Sequence, residues 1–231
     1  MLTNREAQIL GAIIEEYVES AEPIASGTLV DKYSLDCSPA TVRNIMAKLE
    51  EMNLLRQPHT SAGRVPTEEG FRLYVQQFLI PKKTSHARVP LTQARAQVSD
   101  PRDIVREMAK CLVRLSGETV FSSLDEGWNY YAGISKLFEK PEFSNVDTLR
   151  ELSLAVDKFD DVMGEVFERV ERDINVWIGR ENPFGERMST MLVKYQLPNG
   201  KIGILGLVGP LRMDYERNIR LLREAKELLD E

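Results

Sequence analysis

The sequence predicts an α+β protein in two parts: a helical N-terminal domain over residues 1–80 and a mixed helix-and-sheet domain over residues 104–231, joined by a linker at 81–103. Three observations carry this. Apolar residues recur at helical spacing in three successive segments before residue 50, with a tight turn ahead of the third. Two alternating apolar runs flank Asn199-Gly200, a dipeptide that favours a β-hairpin. Between the two patterns, Pro81, Pro90 and Pro101 interrupt a locally basic stretch.

Composition bounds the rest. The chain has 231 residues, 42% hydrophobic and 29% charged, which suits a globular protein and excludes a disordered one. No apolar run approaches a membrane span, and the N-terminus lacks a secretory pattern, so the expectation is a cytoplasmic protein without a membrane partner. Cys37 and Cys111 form no disulfide or ligand spacing, and His59 and His86 lie near neither, which argues against a structural metal. Net charge is −6, but unevenly spread: residues 1–40 sum to −5 and residues 41–72 to +1.

Thr3-Asn4-Arg5-Glu6 is a capping box, and the helix behind it turns Ile9, Leu10, Ile13, Ile14, Tyr17 and Val18 inward. Pro23 ends that region. Ser26 is expected to cap a short second helix through Leu29, Val30 and Tyr33. After a turn at 34–37, Ser38 caps a third helix and Pro39 takes its first position, where the missing N–H costs nothing. Val42, Ile45, Met46 and Leu49 share one face of it. Three helices with a tight turn between the last two make a helix-turn-helix.

The opposite face of that third helix carries the side chains that meet DNA. Arg43 suits guanine edges and phosphates, Asn44 suits adenine edges, and Ser38, Thr41 and Lys48 suit the backbone. A plain solvated face has the same look, so the neighbours matter. Asn53 suits a helix C-cap, Leu54 to Gln57 read as a strand, and Val65-Pro66 as its return. The polar loop between them carries His59, Thr60, Ser61 and Arg64, which together form a wing able to reach a phosphate or a minor groove. Thr67 then caps a helix through Phe71, Tyr74, Val75 and Phe78. The linker reads first as a solvated tether between the domains, and secondarily as a place where Lys82 and Lys83 add phosphate contacts.

These stretches resemble a known family. Leu2-Thr3-Asn4-Arg5, the run Ser38-Pro39-Ala40-Thr41-Val42-Arg43-Asn44, and Ser61-Ala62-Gly63-Arg64-Val65-Pro66-Thr67 are similar to the heat-inducible transcription repressor HrcA family. So are Ile178-Gly179-Arg180-Glu181-Asn182-Pro183 and the segment from Gly206 to Tyr215. The resemblance implies a winged-helix domain followed by a GAF-like α+β domain, and a homodimer. It further implies repression of chaperone operons through a palindromic, inverted-repeat operator in double-stranded DNA, at the nucleoid. It links folding of the active repressor to the chaperonin GroEL, so that heat relieves repression. Members of the family typically carry an extra dimerisation segment in the second domain. Here only a short connection separates Val120–Leu124 from Gly133–Phe138, so that insert is mostly missing.

In the second half, Ile104, Val105, Met108 and Leu112 mark a helix and residues 119–124 a strand. Asp147 is expected to cap one long helix through Leu149, Leu152, Val156, Phe159, Met163 and Val166. Strands follow at 174–178, 191–197 and 202–208, and Asp214 caps a final helix with Ile219, Leu222, Ala225 and Leu229 inward. The sheet is therefore antiparallel and centred on a hairpin. Chemistry is sparse: there is no phosphate-cradling loop and no paired nucleophile, and Gly203 and Gly206 fit close packing within a strand. Asp160-Asp161 read as solvated, and Glu181-Asn182-Pro183 as a structural turn. The expectation is a non-enzymatic DNA-binding repressor without a cofactor. A regulator whose GAF-like domain senses a small molecule is the alternative.

Overall fold

In a computed structural model of the chain, residues 2–60, 62–78, 88–124, 127–157, 159–171 and 173–231 are described. Ser61, Lys82, Lys83 and the side chains of Asp147 and Leu152 lie outside the described residues. The chain divides into two compact units, Met1–Leu79 and Ile80–Glu231.

The first unit begins with α1, Asn4–Ser20, under the expected capping box: the Thr3 N–H donates to Glu6 Oε2 at 2.8 Å and Thr3 Oγ1 accepts the Glu6 N–H at 3.3 Å. Ile9, Leu10 and Ile13 are fully buried on its inner face. Ala21 ends it in the left-handed region (φ 57°), returning its N–H to the Tyr17 carbonyl. Helix α2, Ser26–Tyr33, corrects one expectation. The cap is Ala25, which offers no side-chain bond, and Ser26 is the first helical residue and is buried. Helix α3, Pro39–Glu51, starts under Ser38, whose Oγ accepts the Thr41 N–H at 3.2 Å. Val42, Met46 and Leu49 hold it to the core.

Asn53, at φ 57°, turns the chain from α3 into β1, Leu55–Arg56, which pairs antiparallel with β2, Val65–Pro66. Arg64 extends this ribbon by bridging to Ile24, with a 2.9 Å bond in each direction. Gly63 is required by that approach, because a Cβ there would lie 2.2 Å from the Ile24 carbonyl oxygen. Thr67 accepts the Gly70 N–H at 3.0 Å and caps α4, Glu68–Phe78, as expected.

The second unit departs from the sequence reading at its start. Part of the predicted linker is α5, Arg88–Ala96, whose Leu91 and Ala94 are buried and which packs on α6, Pro101–Ser116, and on α10, Tyr215–Asp230. Pro90 falls in the first turn of α5, where a proline is tolerated. Asp100 caps α6, accepting the Arg102 N–H at 2.9 Å. The strand β3, Thr119–Leu124, returns as β4, Trp128–Ala132, where the sequence suggested only a connection.

Past β4 lie α7 (Ile134–Phe138) and a 3-10 turn at Pro141–Phe143. The single long helix expected from Asp147 is two, α8 (Val146–Asp157) and α9 (Phe159–Arg169). Its start is held by Asn145, whose Oδ1 accepts the Thr148 N–H at 2.9 Å. Strands β5 (Asn175–Ile178), β6 (Met188–Gln196) and β7 (Ile202–Pro210) complete a five-stranded antiparallel sheet in the order β4-β3-β7-β6-β5.

The hairpin β6–β7 is central, as the sequence implied. Its loop is Pro198-Asn199-Gly200, closed by Gly200 N–H to Leu197 O at 2.8 Å. One sheet face buries Phe121, Leu192, Ile204 and Val208 against Phe159, Met163 and Val166 of α9. Gly206 leaves room there for the Phe121 ring, which a Cβ would meet at 2.2 Å. Helices α6 and α10 cover the other face. Asp160 is not merely solvated: it accepts from Tyr131 Oη and from Asn129 Nδ2, tying α9 to β4. Asp214 caps α10 through the Arg217 N–H at 3.0 Å, as the sequence suggested, and Arg212 pairs with Glu142.

Candidate nucleic-acid interface

The outer face of α3 follows from its inner one. With Val42, Met46 and Leu49 pinned inward at helical spacing, Thr41, Arg43, Asn44 and Lys48 must project outward, and all four are exposed. Arg43 and Asn44 are adjacent in the helix, and among the described residues neither side chain makes a hydrogen bond or ion pair. Ser38 and Thr41 are partly occupied by each other, their hydroxyls lying 3.0 Å apart at the helix start. The first N–H groups of α3 point the same way, giving the helix start an affinity for anions.

Lys48 behaves differently from its neighbours. Its ammonium is ion-paired with Glu6 of α1, a residue only 5% exposed. That pair, backed by the Thr3 N–H, pulls the Glu6 carboxyl down to about 2 from its ordinary 4.5. Lys48 therefore fastens α3 to α1. Arg5 has a related role on the other side of the motif: its guanidinium donates to the carbonyl of Asp36 at 2.5 Å, across the turn between α2 and α3. Lys32 of α2 holds Glu16 at 2.6 Å and Glu19 at 2.8 Å on α1. Much of the acid in the first helices is thus engaged inside the domain.

In the wing, His59 and Thr60 are exposed at the loop, where the sequence put them. Arg64 is not at the tip. Its side chain is 17% exposed and its Nε lies 2.9 Å from Glu50 Oε2 on the last turn of α3. The backbone bridge to Ile24 holds the residue at the wing base, so the ion pair takes the group the sequence reading aimed at phosphate. Glu50 also accepts the Gln57 N–H at 2.9 Å, and Gln57 Nε2 donates to the carbonyls of Thr60 (2.9 Å) and Ala62 (3.0 Å). Sequence reasoning passed over Glu50, and it read Glu6 only as part of a capping box and Arg5 only within a family motif. For Glu50 one signal existed: an acid in the last turn of a helix opposes the helix dipole and needs a reason. Among the described residues no group of His, Cys, Asp and Glu is placed to hold a metal ion, and no helix is long and apolar enough to cross a membrane.

A three-helix unit with a capped, outward-facing third helix and a short β-ribbon behind it is the DNA-binding module of a winged-helix transcription repressor. Residues 1–78 match the family described as "Winged helix-turn-helix transcription repressor, HrcA DNA-binding", and residues 69–219 match "HrcA protein C terminal domain". The chain belongs to the HrcA family of heat-inducible transcription repressors, a family of repressors and not of enzymes.

Relatives named "Heat-inducible transcription repressor HrcA" include those of Halalkalibacterium halodurans (26% identical, covering 98% of this chain and 96% of that protein) and Moorella thermoacetica (26%, covering 100% and 97%). A third, from Acaryochloris marina, is 42% identical over 119 residues, covering 50% of this chain and 32% of that protein. The alignment to the Moorella relative runs over 336 positions although this chain has 231 residues, so the relatives carry a long stretch with no counterpart here. A crystal structure described as that of a hypothetical protein superposes with a TM-score of 0.81 at 22% identity, covering 100% of this chain and 99% of that one, and shares the fold.

Proposed function

We infer that this chain represses chaperone operons in the cytoplasm by binding, as a homodimer, an inverted-repeat operator. One observation carries the reading: Arg43 and Asn44 stand exposed and uncommitted, while Lys48 on the same helix is already paired with Glu6. In this reading α3 enters the major groove, Arg43 and Asn44 read base edges, and Ser38, Thr41 and the helix N–H groups hold phosphate. His59 and Thr60 lie along the flanking backbone. Residues 1–80 form the reading domain. Two copies would set their reading helices about 34–36 Å apart, so the operator is a palindrome. The signal is heat, relayed by the dependence of the active repressor on GroEL that the family resemblance suggests.

The test is selection of duplexes from a random library by the full chain, followed by gel shift on the enriched sequence across a salt series. Enrichment of an inverted repeat bound far more tightly than scrambled duplex supports the reading; no enrichment at low salt ends it.

A second reading, in which the GAF-like domain senses a small ligand, draws on a cavity of about 70 Å³ in the second unit, lined by Tyr131, Leu137, Phe159, Phe184, Met188 and Val208. Its apolar lining suits a small uncharged molecule. A thermal-shift screen of small metabolites tests it, since a ligand raises melting in proportion to RT ln(1 + [L]/Kd).

A further inference from the structure

We propose that Glu50 is a positioning residue for DNA binding: it latches the wing to the recognition helix α3 and so sets the two in register. The proposal rests on the DNA-binding reading above and adds a residue to it. A single carboxylate holds both ends of the wing loop. Oε1 takes the N–H of Gln57, where the chain leaves β1, at 2.9 Å. Oε2 is ion-paired with the Arg64 guanidinium, where the chain re-enters β2, its Nε lying 2.9 Å away without hydrogen-bond geometry. Gln57 in turn shapes the loop through its bonds to Thr60 and Ala62. Among the described residues these polar contacts tie the wing loop to α3, beside the packing of α3 on β1.

Two general terms disfavour a carboxylate at this place. It sits in the last turn of a helix, against the negative end of the dipole. It also lies on a domain that approaches a polyanion. Pairing with Arg64 cancels the charge locally, so that the wing base meets DNA as a neutral clasp. This gives the proposal a sign that simple electrostatics does not share. Removing an anion near phosphate should tighten binding to every duplex; removing a latch should weaken it, and only where the wing lies.

The experiment compares the full-length wild type with Glu50→Ala and Glu50→Gln. Readouts are gel shift and nucleotide-resolution protection on the duplex selected by the wild type, amide exchange at Gln57, and thermal melting. Glu50→Ala is expected to bind about tenfold more weakly, to lose protection at the outer flanks while the bases under α3 stay covered, and to melt close to wild type. Its Gln57 amide exchanges faster. Glu50→Gln keeps a neutral acceptor for the Gln57 N–H and recovers part of both effects. Equal or tighter binding by Glu50→Ala overturns the proposal. So does uniform loss of protection accompanied by a lower melting temperature, which marks a purely structural residue. If the wild type selects no duplex, the DNA reading falls and the proposal with it; Gln57 exchange then reports separately whether the latch exists as a structural contact.

Discussion

Among the described residues no group pairs with the side chains of Arg43 and Asn44, which leaves both available in the proposed DNA-binding reading. An arginine that pairs two acceptors on a guanine edge discriminates against other bases by about 1–3 kcal/mol. Arg43→Ala is therefore expected to cost about that much on the selected operator and to relax base choice at one position, as measured by gel shift on single-base variants. Equal loss on all duplexes would reassign Arg43 to phosphate. Glu6 makes a different prediction. Its carboxyl is stabilised in ionised form by Lys48 and the Thr3 N–H, so its folded value, about 2, lies below its unfolded value near 4.5. The stabilisation is complete above about pH 4.5 and disappears as pH falls toward 2. Denaturant titrations from pH 6 to 2 should show this loss, and Glu6→Gln should be less stable at pH 6 with a flatter profile across that window.

The wing is an element whose position depends on backbone approach as much as on side chains. Gly63 lies so near Ile24 that a methyl group would meet its carbonyl oxygen at 2.2 Å. Gly63→Ala should separate Arg64 from Ile24, destabilising the domain by about 1–3 kcal/mol or more. The readouts are thermal melting and the amide exchange of Arg64 and Ile24, both of which donate across this bridge; unchanged exchange would refute the account. Gly206 plays the corresponding part in the sheet, where the Phe121 ring occupies the space over the strand. Strand β4 is an edge strand whose residues are all partly exposed. The aromatic alternation of Trp128 and Tyr130 was its signal in the sequence.

For the whole molecule, net charge and length set the expectations. At −6 the protein gains little from bulk attraction to DNA, so binding depends on a limited number of specific contacts. The relatives' additional stretch has no counterpart in this chain. If the shortened second domain still dimerises, sedimentation of the full chain will give a dimer without DNA and a dimer on one palindromic duplex. A monomer that pairs only when operator is added would move the dimer contact onto the DNA-bound form, and a monomer on a half-site would refute the palindrome.

Much of this architecture was legible locally. The Thr3–Glu6 box, the Ser38-Pro39 start, the Thr67 and Asp214 caps and the hairpin at Asn199-Gly200 are signals in which a residue's free energy depends on neighbours a few positions away. The outward placement of Arg43 and Asn44 follows from the same helical period. Tertiary structure alone decided which charges remain free. Lys48 is taken by Glu6 and Arg64 by Glu50, and residues 88–96 became a helix because α6 and α10 offered an apolar surface to its Leu91 and Ala94. Those outcomes depend on which distant segments meet in space: an ion pair or a packed face gains its energy from proximity, and periodicity along the chain carries no record of it.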